Sequence, residues 1–128
     1  MRFVTDTHCL LWHLQDHPRL SQASKRLFDD PQEAGQVVIP TIALAELIYI
    51  LRKIRLRQPA EEIIKRVESE DRFEIHPLSL AIVHKMIRLD HFEIHDSLIV
   101  GTALHLDLPL MTRDQKIVDA RIVQTLRP

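Results

Sequence analysis

Arg2-Phe3-Val4-Thr5-Asp6-Thr7-His8-Cys9-Leu10-Leu11-Trp12 passes from a short apolar strand into a helix with one acidic residue at the junction. The run Arg2 to Thr5 is too short and too β-branched for a helix and reads as a buried strand ending at Asp6. Thr7 to Gln15 reads as a helix, broken at Asp16-His17-Pro18. The same alternation recurs along the chain. Ser21 caps a helix to about Asp30, closed by Pro31. Gln36 to Ile39 is a β-branched strand stopped by Pro40, and Thr41 caps a long helix to about Arg55. Pro59 at a first-turn position, with Glu61 and Glu62, opens a helix to about Glu70. Phe73 to His76 is a strand, and Ser79 caps a helix to about Leu89. Ile94 to Leu106 is helical, Leu110 to Thr112 is a strand, and Arg121 to Thr125 supplies a last one. Strands alternating with helices give an α/β fold, a central parallel sheet with helices on both faces, hence a three-layer α/β/α sandwich.

In such sheets, sites form beyond the carboxyl ends of the strands. Asp6, Asp114 in Met111-Thr112-Arg113-Asp114, and the Pro40-Thr41 turn leading to Glu46 all fall on that edge. Asp96, in Ile94-His95-Asp96-Ser97, sits in the first turn of its helix, where the dipole favours an anion. Glu46 is the only charge between Ile42 and Leu51, and that run supplies no partner for it. Four acids without an obvious cation repel one another. They are tolerable mainly around a hard divalent ion, which takes oxygen ligands from a few carboxylates, water and phosphate.

With 128 residues, 45% of them hydrophobic, the expectation is one domain spanning 1–128. No apolar run is long enough to cross a bilayer. The first residues lack the pattern of a secretory signal, and a single cysteine, Cys9, rules out an internal disulfide. The expected setting is the cytoplasm. A net charge of −1 argues against a basic nucleic-acid coat, so contact with nucleic acid would need a local basic patch or a metal. Cys9 reads as a small core residue. Eight histidines include two i,i+4 pairs, His13/His17 and His91/His95. Without a His-Glu-x-x-His pattern these read as surface residues rather than a zinc site.

The stretch Asp6-Thr7-His8-Cys9-Leu10-Leu11-Trp12 resembles the opening of PIN-domain proteins, specifically VapC-type toxins of bacterial and archaeal toxin–antitoxin pairs. The resemblance continues through Ala45-Glu46-Leu47, Asp96-Ser97-Leu98-Ile99-Val100 and Leu110-Met111-Thr112-Arg113-Asp114, and so spans nearly the whole chain. One departure is the segment Asp90-His91-Phe92-Glu93-Ile94-His95, shorter than the stretch that often precedes the corresponding acid in relatives. The resemblance implies a ribonuclease dependent on Mg²⁺ or Mn²⁺ and held inactive by an antitoxin. Asp6, Asp96 and Asp114 would bind the ion, and Glu46 a second ion or the first through water. The ion would activate a water for attack on phosphorus. Thr112, and less directly Thr7, would orient ligands. Lys53, Arg113 and His95 are candidate RNA contacts. The basic cluster Arg52, Lys53, Arg55 and Arg57, with Lys116 beside Arg113, would add to a basic rim.

Other readings carry the same coarse pattern. A phosphorylation-dependent receiver module needs adjacent acids after the first strand and a lysine after the last, but Thr5-Asp6-Thr7 has one acid and Arg121 to Pro128 no lysine. A haloacid-dehalogenase-like phosphatase needs an acid at position 8, which is His8. A PIN-like RNA-binding protein without cleavage activity would not need all four acids. Finally, Ile42 to Leu51 is apolar almost all round, which suggests two buried faces, one against the sheet and one against a second chain, hence a homodimer.

Overall fold

A computed structural model describes residues 1–54 and 59–128. Five parallel strands form one sheet in the order β3-β2-β1-β4-β5, with β1 at Phe3–Thr5, β2 at Val37–Pro40, β3 at Phe73–His76, β4 at Leu110–Met111 and β5 at Thr125–Leu126. The helices are α1 (Thr7–Leu14), α2 (Gln22–Asp29), α3 (Thr41–Ile54), α4 (Ala60–Ser69), α5 (Leu80–Met86), α6 (Ile94–Leu106) and α7 (Gln115–Ala120).

The three layers follow from strand alternation, since neighbouring side chains on a strand point to opposite faces. Phe3, Val37, Ile39 and Met111 belong to one core, with Leu10, Leu11 and Trp12 of α1, Phe28 of α2, and Ile63 and Val67 of α4. Val4, Val38 and Leu110 belong to the other, with Ile99, Val100 and Ala103 of α6 and Ile117 of α7. Helix α3 serves both: Leu44, Leu47 and Leu51 enter the first core, while Ala43 enters the second. This places α3 across the end of the sheet, directly above the strand edge. Helix α6 is buried at every position from Ser97 to Ala103. Gly101 lets α5 lie close on it, because a Cβ there would stand 3.3 Å from the Ile82 carbonyl oxygen.

Several boundaries differ from the sequence expectation. Thr41 begins α3 rather than capping it, and its hydroxyl donates to the His76 carbonyl instead. Helix α5 stops at Met86, short of Leu89. Pro59 is the cap of α4 rather than a residue of its first turn. Residues Gln115 to Ala120 form α7, a short helix that the sequence reading passed over; Asp114 caps it, and it ends at Arg121 with φ 53°. The last strand accordingly begins later, at Thr125. The end of the expected third helix at Arg55, and Arg57 of the basic cluster, lie outside the described residues.

His13 is a further correction. It was expected at the surface, yet only 9% of it is exposed. Its ring stacks on Phe28 at 4.4 Å and meets the edge of Phe73, and Nε2 finds no partner among the described residues. Burial, with the charges of Arg72 and Arg66, lowers its pKa from 6.5 to about 4, although Asp29 pulls the other way. In the unfolded chain His13 takes up its proton near pH 6.5, before the folded protein does. Stability is therefore fully present above that pH and is lost as pH falls toward 4, by about 3 kcal/mol if nothing relaxes. Chemical denaturation of wild type and His13→Phe between pH 7 and pH 4 should show the decline from this residue only in wild type; equal declines would mean that other groups set the acid limit.

Candidate functional site

Asp6 stands where β1 becomes α1. Its backbone N–H donates to the Met111 carbonyl on β4. One side-chain oxygen accepts the Cys9 N–H at 2.8 Å and so caps α1. A single residue thus ends a strand, starts a helix and presents its remaining carboxylate oxygen at the strand edge. Asp114 repeats this after β4: it accepts the Lys116 N–H at 2.9 Å and caps α7. Thr112, 1% exposed, accepts the Asp114 N–H through its hydroxyl at 3.1 Å and holds that turn.

Glu46 descends from the second turn of α3, and the partner missing from its own helix comes from α1: the Thr7 hydroxyl donates to its carboxylate. Thr7 therefore touches a cleft acid through its side chain, whereas Thr112 acts on the backbone of another, the reverse of the weight given to them from sequence. Asp96 occupies the first turn of α6, where Glu93 accepts the N–H groups of His95 and Asp96 as the cap.

The four predicted acids line one cleft of about 390 Å³, together with Thr7, His8, Glu93 and Arg113. Glu93 was missed as a site residue. Its signal was present: no Ser, Thr, Asp or Asn precedes Ile94, and Glu93 is the acid in the capping position. His95 bridges two of these groups, with Nδ1 bonded to Glu93 and 3.5 Å from Glu46. Lys53 is not brought in; its ammonium lies 4.5 Å from the Tyr49 ring centroid on α3. Lys116 is exposed and does not line the cleft either.

Asp96 is the electrostatic centre. Burial, then the charges of Asp114, Glu93, Glu46 and Asp6, push its pKa up to about 6. Glu93 moves the other way: partial burial raises its pKa, but the N–H groups of His95 and Asp96 and the His95 ring outweigh that and lower it. Cys9 lies beneath Asp6, and burial together with that carboxylate pushes its thiol far up, so it is no nucleophile. The donors are mainly carboxylate oxygens, with the imidazoles of His8 and His95 beside them, which suits a hard divalent ion. Among the described residues no three acid, histidine or cysteine side chains close on a single ion-sized point. An ion here would be held partly through water, as Mg²⁺ prefers.

A family model of the PIN domain matches residues 3–123. No curated protein matches the chain in sequence. Among solved structures the chain is similar to a toxin–antitoxin complex from Klebsiella pneumoniae (TM-score 0.72, 21% identity, covering 98% of this chain and 97% of the other). It is similar to VapBC2 from Rickettsia felis, bound to a fragment of promoter DNA (0.74, 19%, 98% of each). It is also similar to FitAcB from Neisseria gonorrhoeae (0.73, 18%, 98% and 97%). At these identities the likeness is one of fold.

The raised pKa of Asp96 has a stability consequence. The folded protein holds that proton up to a higher pH than the unfolded chain, so the ionised cluster costs stability in full above pH 6, and the cost declines as pH falls from 6 toward 3.8. Metal-free Asp96→Asn should therefore melt higher than wild type at pH 7.5, by a few degrees. The difference should shrink as pH falls from 6 and vanish only below the ordinary carboxylate pKa of 3.8. A variant that melts lower at pH 7.5 would show that Asp96 is held by structural partners instead.

Proposed function

Because this chain belongs to the PIN-domain family, we propose that it is the toxin of a toxin–antitoxin pair, an endoribonuclease that hydrolyses RNA phosphodiester bonds with Mg²⁺ or Mn²⁺ in the acid cleft. The observation that carries this reading is the convergence of Asp6, Glu46, Asp96 and Asp114, from four separate elements, on one cleft at the strand edge. The toxin–antitoxin complexes sharing the fold support the partner assignment.

Asp6, Asp96 and Asp114 would hold the ion, and Glu46 would hold it through water or hold a second one. When bound, the ion supplies an activated water and neutralises charge on the phosphate. The rest falls to the chain. Thr7 aims Glu46, and Thr112 sets the turn that presents Asp114. Glu93 starts α6, placing Asp96 at the positive end of the helix, and holds His95 at the cleft rim. His95 would meet the RNA there. An antitoxin would cover the same cleft, offering a cation to the acids and an apolar segment to the surface.

Helix α3 supports a homodimer, with a change of surface. Leu51 is buried in the core, so the outward face is Tyr49, 57% exposed, and Ile54, 48% exposed. Leu80 and Ile87 of α5 are also large and exposed. Light scattering should return twice the 15.0 kDa of one chain; a strict monomer at micromolar concentration would refute the dimer.

Purified protein should cut RNA with Mg²⁺ or Mn²⁺ and stop in EDTA. Asp6→Asn keeps an acceptor for the Cys9 N–H, so the helix cap survives while a metal-binding anion is lost. Cleavage should fall by about three orders of magnitude or more, the scale on which single electrostatic groups act. Metal-free melting should be equal to wild type or higher. Undiminished cleavage in EDTA, or by a folded Asp6→Asn protein, would remove the metal mechanism.

A further inference from the structure

Arg113 stands one residue before Asp114 and lines the cleft wall. It pairs with none of the acids: among the described residues, the arginine and lysine ion pairs involve Arg2, Lys25, Arg66 and Arg72. Its guanidinium instead lies 5.0 Å from the centroid of the Trp12 ring, which is 6% exposed. Arg19 lies 5.8 Å from the same ring, and His17 stacks on it at 5.9 Å. A guanidinium held against an indole by cation–π attraction keeps its N–H fork available, and that fork matches phosphate better than any other side chain does.

Arg113 is also a shared wall. It also lines a second groove of about 570 Å³, together with Val118 of α7, Thr125 and Leu126 of β5, and Arg127. Arg127 forms no ion pair among the described residues, and its backbone carbonyl is pinned by the Ser24 hydroxyl at 2.8 Å. Two arginines without an ion pair among the described residues thus line a groove that shares Arg113 with the acid cleft. A lining that combines apolar side chains with two cations suits a sugar–phosphate backbone with a base laid between.

Resting on the nuclease reading above, we propose that the groove between α7 and β5 holds the single-stranded RNA flanking the cleaved bond, with Arg113, braced on Trp12, on the adjacent phosphate and Arg127 on the next. The brace has a purpose. A free arginine beside five carboxylates would fold into them, whereas stacking on Trp12 keeps Arg113 at the boundary between the two spaces.

The test uses the Asp6→Asn protein, expected to bind RNA without cutting it, and a fluorescein-labelled single-stranded oligoribonucleotide of about 12 nucleotides, within the length such grooves cover. Trp12 is the only tryptophan, so its emission reports on Arg113 directly. Oligonucleotide binding should change that emission. Arg113→Gln and Arg127→Gln should each weaken binding about tenfold, the scale of one hydrogen-bonded charge. Each should also reduce the slope of log affinity against log salt by about 0.7, the value for one phosphate contact on a single strand. Arg113→Lys should recover the slope but only part of the affinity. A Lys65→Gln control on α4 should change neither. If both glutamine variants fold and bind RNA with unchanged affinity and slope, while wild type still cuts RNA, the groove assignment falls and the nuclease reading stands. If RNA binding is unchanged but the variants lose a co-purifying protein, the groove belongs to that partner and the assignment falls. If wild type cuts no RNA with Mn²⁺ and the Asp6→Asn protein binds none, both readings fall together.

Discussion

Five carboxylates at one edge of a parallel sheet are a standing electrostatic cost, and much of this fold consists of holding them there. Four of the five meet a donor. Asp6 and Asp114 spend one oxygen on helix caps. Glu46 takes the Thr7 hydroxyl, and Glu93 takes two N–H groups of α6. Asp96 carries its burial and the repulsion of the other four as a pKa raised to about 6. A cluster that resists ionisation is poorly arranged for stability and well arranged for a divalent cation, which would be the largest stabilising charge available to it.

The scaffold tolerates this because the rest of the sheet is fully committed. Phe3, Val4, Val37, Val38, Ile39 and Leu110 are completely buried between two helical layers. Burial of side chains of this size contributes roughly 1.5–3 kcal/mol each. The strand edge cannot move away from the charges without opening one core or the other. Helix α3, which enters both cores, ties the position of Glu46 to the packing on either side of the sheet. Strain of this kind at a site, offset by the surrounding packing, is the usual bargain in enzymes.

Aromatic groups settle the placement of the nearby cations and of one histidine. Trp12 holds Arg113 and Arg19 against its ring, and neither forms an ion pair among the described residues. Phe28 draws His13 into the core, where it titrates against folding rather than toward solvent. In both cases a nearly neutral contact surface decides where a charge, or a potential charge, resides.

What the chain's sequence determined alone was the alternation of strands and helices, the parallel sheet, and the four acids at strand ends and first helical turns. These follow from local causes: β-branched runs, prolines, caps and the dipole of a helix start. Tertiary structure decided everything that needed a partner from far along the chain. Thr7 meets Glu46 across 39 residues, and Glu93 joins the cleft only because α6 lies against α3. His13 looked like a surface residue because its i,i+4 spacing carries no information about Phe28 or Phe73. The short helix at Gln115–Ala120 escaped notice because six residues are too few for a period to show, whereas its capping aspartate was noticed for another reason. Lys53 stands seven residues after Glu46, near the same face of α3, yet its ammonium lies over Tyr49 and it does not line the cleft. Periodicity specifies direction around a helix; only packing specifies what stands at the far end of a side chain.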